Sequence, residues 1–136
     1  MWAPAWLRRM DWHYLNNFRL NRPGYMRKLK DGALPSDLAR RNLMISFSED
    51  DILVSLRHEI GVDQLMWSTD YPHAEGLFPR TREIGDQLFA GVPAEERTSM
   101  VRDNAIRTFG FDTALWEDDP AFRAGPRSGV AHVQPL

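Results

Sequence analysis

Residues 42–68, NLMISFSEDDILVSLRHEIGVDQLMWS, contain two short apolar runs with a helical pattern between them. The runs at 42–47 and 64–68 have the length and the large apolar side chains that are typical of buried strands. The residues between them place apolar side chains on one helical face, at Ile52, Leu53, Leu56 and Ile60. A strand, a helix and a strand joined by short links form a βαβ unit, which predicts parallel strands with a right-handed crossover.

The two ends of this central helix carry signals of their own. Ser48 is expected to cap its N-terminus, because a hydroxyl oxygen can accept a hydrogen bond from the free backbone N–H groups there. The three acidic residues that follow Ser48 suit the positive end of a helix. Gly61 stands where a residue in the left-handed conformation would end the helix.

Helical patterns also flank the βαβ unit. Residues 3–14 carry aromatic and aliphatic side chains at helical spacing, and residues 81–89 and 93–109 predict two further helices, the second ending at Gly110. Beyond it the pattern decays, so residues 113–136 are expected to form a loosely attached tail. Two parallel strands do not make a stable sheet by themselves. The order helix, strand, helix, strand, helix, helix therefore predicts a piece of a larger α/β fold.

Composition limits the classes of function. The 136 residues suffice for one domain, and 17 basic against 19 acidic residues leave a net charge of −2, which gives no reason to expect nucleic acid or a membrane surface as a partner. The chain has no cysteine, which excludes disulfides and thiolate metal ligands. The sequence has no apolar run long enough to span a bilayer, and its first residues lack the order of a signal peptide, so a cytoplasmic location is expected.

Polar side chains lie near the end of both predicted strands. Functional groups of parallel α/β folds lie just past the C-terminal strand ends. The first predicted strand is followed by Ser46, Ser48 and Glu49, and the second by Ser68, Thr69, Asp70, Tyr71 and His73. The carboxylate of Asp70 can ligate a divalent metal or take a proton from a metal-bound water, and His73 can ligate, relay a proton or bind a ligand. On the pattern alone, the plainer alternatives are favoured: Asp70 as a turn former and His73 as a loop residue.

Other catalytic patterns are missing from the sequence. It has no H-x-H pair, no H-E-x-x-H motif and no glycine-rich phosphate loop, and its serines lack the context of a nucleophile elbow. The remaining histidines are weaker candidates, because His13 lies among aromatic residues of a helix, His58 on a polar helical face and His132 in the tail.

Residues 65–73, LMWSTDYPH, resemble the last barrel strand and the following loop of the amidohydrolase-related family. These proteins are metal-dependent TIM-barrel hydrolases and decarboxylases, with aminocarboxymuconate-semialdehyde decarboxylase as a relative. The family pattern is an apolar strand that ends in Ser-Asp-x-Pro-His, and Thr69 replaces the usual serine here. Residues 104–110, NAIRTFG, are similar to the closing motif of the family. Upstream, residues 4–11 resemble the helix after the sixth strand, and 42–48 resemble the seventh strand.

The resemblance implies a fold and a site. Residues 1–112 would be the C-terminal fragment of a (β/α)8 TIM barrel, which needs about 250 residues when complete. Asp70 would be the catalytic carboxylate and a ligand of a divalent metal, with zinc as the expected ion. His73 would line the site or bind substrate, and Asn104 would be structural. The family's other metal ligands come from earlier strands that this sequence does not contain, and a catalytic zinc needs three protein ligands. The chain alone is therefore not expected to hold the metal.

Two functions remain open at this point. The first is the C-terminal segment of a metal-dependent amidohydrolase-like enzyme that hydrolyses or non-oxidatively decarboxylates a small organic acid or a related compound. Its partners would be the small-molecule substrate and the missing N-terminal half of the barrel. The second is a non-catalytic remnant or assembly module that self-associates through exposed strand edges and its aromatic first helix.

Overall fold

The computed structural model describes residues 2–16 and 29–114. Most of the predicted tail therefore lies outside the described residues. The elements follow one another as α1 (Ala3–Asn16), a 3-10 turn (Lys30–Gly32), α2 (Pro35–Asn42), β1 (Ile45–Phe47), α3 (Asp51–Ser55), α4 (Arg57–Ile60), a 3-10 turn (Val62–Gln64), β2 (Leu65–Trp67), α5 (Thr81–Leu88), α6 (Ala94–Thr98), a π-helical segment (Ser99–Asp103) and α7 (Asn104–Phe109).

The two strands form a parallel pair in which Ile45 is opposite Leu65 and Phe47 is opposite Trp67. Their pairing confirms the predicted parallel βαβ unit. The described part of the chain thus has a mixed helix and strand architecture built around a small two-stranded parallel sheet.

The core lies where the sheet meets the helices. Its buried members are contributed by α1, both strands, the connecting helices and the C-terminal helical segment: Ala3, Phe47, Leu53, Val54, Ile60, Leu65, Phe89 and Met100. The Phe89 ring meets the rings of Phe47 and Trp67 edge to face, at centroid distances of 6.3 and 5.8 Å. Gly85 lets α5 approach this cluster, because a Cβ atom there would lie 3.0 Å from the Trp67 ring.

The first helix is joined to the rest of the fold by polar contacts as well as by its buried Ala3 and Leu7. The Asp11 carboxylate accepts a hydrogen bond from the backbone N–H of Ser36 at 2.9 Å, which satisfies a free donor at the start of α2. Arg40 of α2 donates in turn to the backbone carbonyls of Glu59 and Ile60. These bonds hold α1 and α2 beside the end of α4.

The cap predicted at the start of the central helix is wrong, whereas the helix does end at Gly61 as predicted. Asp50, and not Ser48, caps α3: its carboxylate accepts from the backbone N–H of Leu53 at 2.7 Å, because Asp50 immediately precedes the first helical residue. Gly61 follows α4 with φ 122° and ψ 118°, outside the left-handed helical region. A side chain at this position would meet the Gln64 amide, so the position still favours glycine.

The central helix is also interrupted, where one continuous helix was predicted. Leu56 separates α3 from α4 with φ −99° and ψ 15°. The Ser55 hydroxyl donates to the carbonyl of Ile52, and Arg57 donates to the carbonyl of Val54. The backbone N–H of Leu56 still donates to the carbonyl of Ile52 at 3.0 Å, so the side-chain bonds add to the helical bond at the break.

The C-terminal helices agree with the prediction at their end. Gly110 follows α7 in the left-handed conformation, with φ 66° and ψ 36°, and its N–H donates to the carbonyl of Ile106 at 2.9 Å. The predicted single helix over 93–109 is divided into α6, the π-helical segment and α7. Across the described ranges, every helix is too short or too polar to traverse a lipid bilayer.

Candidate functional site

The C-terminal ends of the two strands are bonded together. The backbone N–H of Ser68 donates to the carbonyl of Phe47 at 2.7 Å, and the indole N–H of Trp67 donates to the carbonyl of Ser48 at 3.1 Å. The segments that leave β1 and β2 therefore begin side by side. This edge of a parallel sheet is where α/β proteins place their ligands.

The segment after β2 forms a closed loop over residues 69–77. The N–H of Leu77 donates to the carbonyl of Thr69 at 2.8 Å, and two inner turns are closed at 2.9 Å each, from His73 to Asp70 and from Gly76 to His73. Leu77 is buried and anchors the base of the loop. The loop's shape is thus determined by bonds within itself.

Gly76 is required for this closure. A Cβ atom at that position would lie 2.9 Å from the carbonyl oxygens of both Asp70 and His73, and 3.1 Å from that of Thr69. All three contacts involve backbone atoms, which cannot move aside as the end of a flexible side chain would. Any larger residue would therefore open the loop.

Asp70 occupies an unusual position at the start of the loop. Its backbone has φ 53°, in the left-handed region that aspartate tolerates better than most residues, and its N–H donates to the Ser68 hydroxyl at 3.3 Å. Its side chain is 55% exposed, and Oδ2 lies 3.8 Å from Nδ1 of His73, whose side chain is 76% exposed. The loop therefore brings the two predicted site residues together and presents both to solvent.

An ion pair follows the loop at the start of α5. Arg80, just before α5, donates to both carboxylate oxygens of Glu83, at 3.2 and 3.1 Å. The hydrogen bond and charge of Glu83 raise the pKa of Arg80, and Glu49 contributes to a smaller degree. Glu49 therefore lies within electrostatic reach of Arg80.

Metal ligation needs more donors than this loop supplies. Within residues 2–16 and 29–114, the histidine and acidic side chains form no group of three or more that could hold a metal ion. Asp70 and His73 supply two donor side chains, whereas a catalytic zinc requires three protein ligands. The described residues therefore do not fit a complete metal site on their own.

The other histidines lie away from the loop or outside the described residues. His58 bonds to Glu96 of α6 at 2.8 Å, and the same carboxylate accepts from Arg57. This cluster joins α4 to α6, so His58 has a structural contact. His132 lies outside the described residues.

Asn104 is fully buried under the second strand. Its side-chain Nδ2 donates to the carbonyls of Val62 and Leu65, each at 2.8 Å. The structural role implied for Asn104 is thereby confirmed: it fastens the start of α7 to the start of β2. The bond links the two motifs on which the family resemblance depends.

Sequence reasoning missed one feature of the loop. The rings of Tyr71 and Phe78 lie edge to face, with centroids 5.4 Å apart, and both side chains are well exposed. Each of these residues precedes a proline, and the peptide bonds Tyr71–Pro72 and Phe78–Pro79 are both cis. The sequence carried one signal for this contact. An aromatic residue followed by proline stands at each end of the short loop.

The pattern of the strands, the loop and the Asn104 contact agrees with a known family. A sequence model described as Amidohydrolase (Amidohydro_2) matches residues 38–111, which is more than half of the chain. The chain belongs to the amidohydrolase family. Members of this family generally use a divalent metal, and the matched residues include both strands, the Asp70 loop and Asn104.

A solved structure supports the same assignment. The chain is similar to 5-carboxyvanillate decarboxylase LigW from Sphingomonas paucimobilis, with 27% sequence identity and a TM-score of 0.61. The similarity covers 82% of this chain and 31% of the decarboxylase, so this chain spans less than a third of that protein's length. No match to a curated protein was found.

Proposed function

We propose that residues 1–112 form the C-terminal part of a (β/α)8 barrel enzyme that uses a divalent metal to hydrolyse or non-oxidatively decarboxylate a small organic acid. The observation that carries the proposal is the position of Asp70. It follows a paired parallel strand, and a closed loop holds it in the left-handed conformation with its carboxylate exposed. Unusual backbone conformations that the surroundings enforce are concentrated at functional sites.

Asp70 would take the acid–base role in this reaction. Its carboxylate stands at the strand edge, free to accept a proton at an Oδ atom, and the nearby imidazole of His73 would line the site. Because the loop is closed by its own backbone bonds, the backbone that carries the carboxylate would already be in place when substrate arrives. This prior ordering is what a catalytic carboxylate requires.

The metal would be shared between this chain and the rest of the barrel. Asp70 would contribute one ligand, and the remaining ligands would come from strands that precede those of this chain, with zinc as the expected ion. A bound divalent metal would supply Lewis acidity and lower the pKa of a coordinated water to about 7. The isolated chain is therefore expected to be inactive, and its principal partner would be the upstream barrel half.

The test compares two carboxylates on the same loop in a protein that joins this chain to the upstream barrel. Asp70→Asn keeps the side-chain shape and a residue that tolerates the left-handed backbone, while it removes the negative charge. It is expected to weaken Zn²⁺ binding in calorimetric titration and to lower turnover about 100-fold or more, as loss of a general base does. Glu75→Gln, also exposed on this loop, is the control and should change neither quantity. Unaltered zinc affinity and turnover in Asp70→Asn would refute the role.

A second function is favoured by the exposed face of α1. Four large apolar side chains of this region are substantially exposed: Trp2, Trp6, Trp12 and Leu15. Such a patch marks an interaction surface, which would bind either the upstream barrel or another copy of the chain. Sedimentation of the full chain separates these alternatives, because a concentration-independent monomer would exclude the self-assembly module.

A further inference from the structure

Trp67, the last residue of β2, has contacts on two sides. Its ring meets that of Phe89 edge to face at 5.8 Å, and it packs so closely on α5 that a Cβ atom at Gly85 would lie 3.0 Å from it. On the other side, its indole N–H donates to the carbonyl of Ser48, just beyond β1, at 3.1 Å. The indole therefore links α5 to the end of β1.

The indole bond continues the pairing of the two strands beyond their last residues. The backbone N–H of Ser68 donates to the carbonyl of Phe47 at 2.7 Å, and the next carbonyl along the chain, that of Ser48, accepts from the indole. A carbonyl just past the end of a strand has no partner in the ladder, so a side-chain donor there adds one bond to the pairing. An indole has one N–H donor and no acceptor, so this bond uses the whole hydrogen-bonding capacity of Trp67.

These two bonds attach the Asp70 loop to the first strand. The bonds that close the loop are made within residues 69–77, so they determine its shape but not its distance from β1. That distance is determined at the base of the loop, where Trp67 and Ser68 precede Asp70 in the chain. On the proposed function, the groups that act together with Asp70 would come from strands that precede β1. A displacement of about 1 Å in such an arrangement can cost about 100-fold in rate.

We propose that Trp67 is a positioning residue, whose indole N–H holds the ends of β1 and β2 at the separation that places Asp70 for reaction. The inference rests on the proposed function, because it takes Asp70 as the reacting carboxylate. Trp67 does not need to touch the substrate, since its ring packs against the core beside Phe89. Its effect on the reaction passes through the Ser48 carbonyl and the base of the loop.

The first measurement is amide hydrogen exchange in the full chain, which needs neither substrate nor metal. Trp67→Phe keeps an aromatic ring in the core and removes the indole donor. We expect the Ser68 amide to exchange about three- to tenfold faster, as the loss of one ordinary hydrogen bond predicts, after correction for the changed neighbouring side chain. The rate is expressed relative to that of the Val54 amide, which bonds to the carbonyl of Asp50, so that a change in global stability cancels.

The chain allows the lost hydrogen bond to be separated from the lost packing. The three atoms nearest to a Cβ at Gly85 all belong to the six-membered ring of the Trp67 indole, so a smaller ring at position 67 leaves room for that Cβ. Gly85→Ala added to Trp67→Phe should therefore raise the unfolding temperature again, while the Ser68 amide stays fast. Phe89→Leu is the converse control, because it removes an aromatic contact and keeps the indole bond. It should lower the unfolding temperature and leave the relative exchange rate of Ser68 unchanged.

The second measurement is turnover in the protein that joins this chain to the upstream barrel, with the substrate on which Asp70→Asn is compared. Trp67→Phe and its combination with Gly85→Ala should both lower kcat about fivefold or more, with KM within about twofold of wild type, because the indole does not touch the substrate. A purely structural role would instead let kcat recover together with stability in the double variant. Recovery of kcat in the double variant, or an unchanged relative exchange rate of Ser68 in Trp67→Phe, would each overturn the proposal.

Failure of this inference can be separated from failure of the proposed function. Exchange of the Ser68 amide is measured without turnover or metal, whereas the Asp70→Asn comparison measures zinc affinity and turnover. If Ser68 exchange is unchanged in Trp67→Phe while Asp70→Asn loses activity, the proposed function stands and Trp67 does not position the site. If Ser68 exchange rises as expected while Asp70→Asn behaves like wild type, the indole bond joins the strands but positions no catalytic group, and both proposals are wrong.

Discussion

Replacing Asn104 by alanine should destabilise the fold far more than replacing an asparagine on the surface. The Asn104 side chain is fully buried, and its Nδ2 is the donor for two carbonyls, those of Val62 and Leu65, at 2.8 Å each. Removing the amide takes the side-chain donor from both carbonyls. A hydrogen bond contributes about 1 kcal/mol net, and a buried group left without a partner costs about 1–3 kcal/mol.

The oxygen atom of the Asn104 amide reduces the free-energy cost of the substitution. The Asn104 Oδ1 atom is buried and has no hydrogen-bond partner among the described residues. Its removal therefore relieves a burial penalty of about 1 kcal/mol, while the small cavity left by the amide adds a similar amount in the opposite direction. The two effects nearly cancel, so the two lost donor bonds determine the result. We expect Asn104→Ala to lower the free energy of unfolding by about 2–3 kcal/mol.

Asn42 is the matched control, because its Nδ2 also donates to a backbone carbonyl, that of Leu38 at 2.7 Å, but on an exposed helix surface. Water can replace that bond, so Asn42→Ala should cost no more than about 0.5 kcal/mol. Urea denaturation followed by tryptophan fluorescence gives both values. If Asn104→Ala costs no more than Asn42→Ala, the buried amide does not hold α7 to the second strand, and the structural role assigned to it is wrong.

Two further predictions follow from polar contacts at helix ends. Asp50→Ala should cost about 1 kcal/mol of stability through loss of the α3 cap, while Ser48→Ala should cost less than about 0.5 kcal/mol; equal effects in urea denaturation would contradict the assignment of the cap to Asp50. The hydrogen bond from Arg57, followed by that from His58, holds the pKa of Glu96 below its usual value. The stabilisation of the fold by ionised Glu96 is therefore present above the unfolded-state pKa of about 4.3. It is lost as the pH falls through the lower folded-state pKa. Thermal unfolding between pH 6 and pH 3 should show a shallower acid loss in Glu96→Gln than in wild type, and Glu95→Gln on the same helix should behave as wild type.

The elements that were predicted correctly from the sequence are those that depend on residues close together in the chain. The two strands are short apolar runs between polar segments, and Gly110 ends α7 because a left-handed residue needs only its own backbone freedom. The break at Leu56 could not be predicted in this way. It lies in the backbone conformation of Leu56, with φ −99° and ψ 15°, which helical periodicity does not specify.

The candidate site also has features that could be predicted from sequence and features that could not. Asp70 and His73 could be found because an apolar strand precedes them and the loop motif is distinctive. The closure at Gly76 and the contact between Tyr71 and Phe78 could not, because each joins residues several positions apart in a conformation that no repeating pattern specifies. The choice of Asp50 over Ser48 as the cap likewise required the actual start of the helix, which sequence patterns leave uncertain by a few residues.

If the chain is part of a barrel, as proposed, the contacts of the loop indicate which part of the site this chain would determine by itself. Every backbone bond that closes residues 69–77 is made within the loop, and its base is attached to β2, which pairs with β1 of the same chain. The backbone conformation of Asp70 is therefore determined locally and should form whenever residues 42–110 fold. On the proposed function, metal binding would depend on donors from the upstream barrel, since Asp70 and His73 fall short of three ligands. A reconstituted barrel should thus gain metal affinity without reshaping the loop, and the amide NMR signals of residues 69–77 should change little on addition of the upstream half alone.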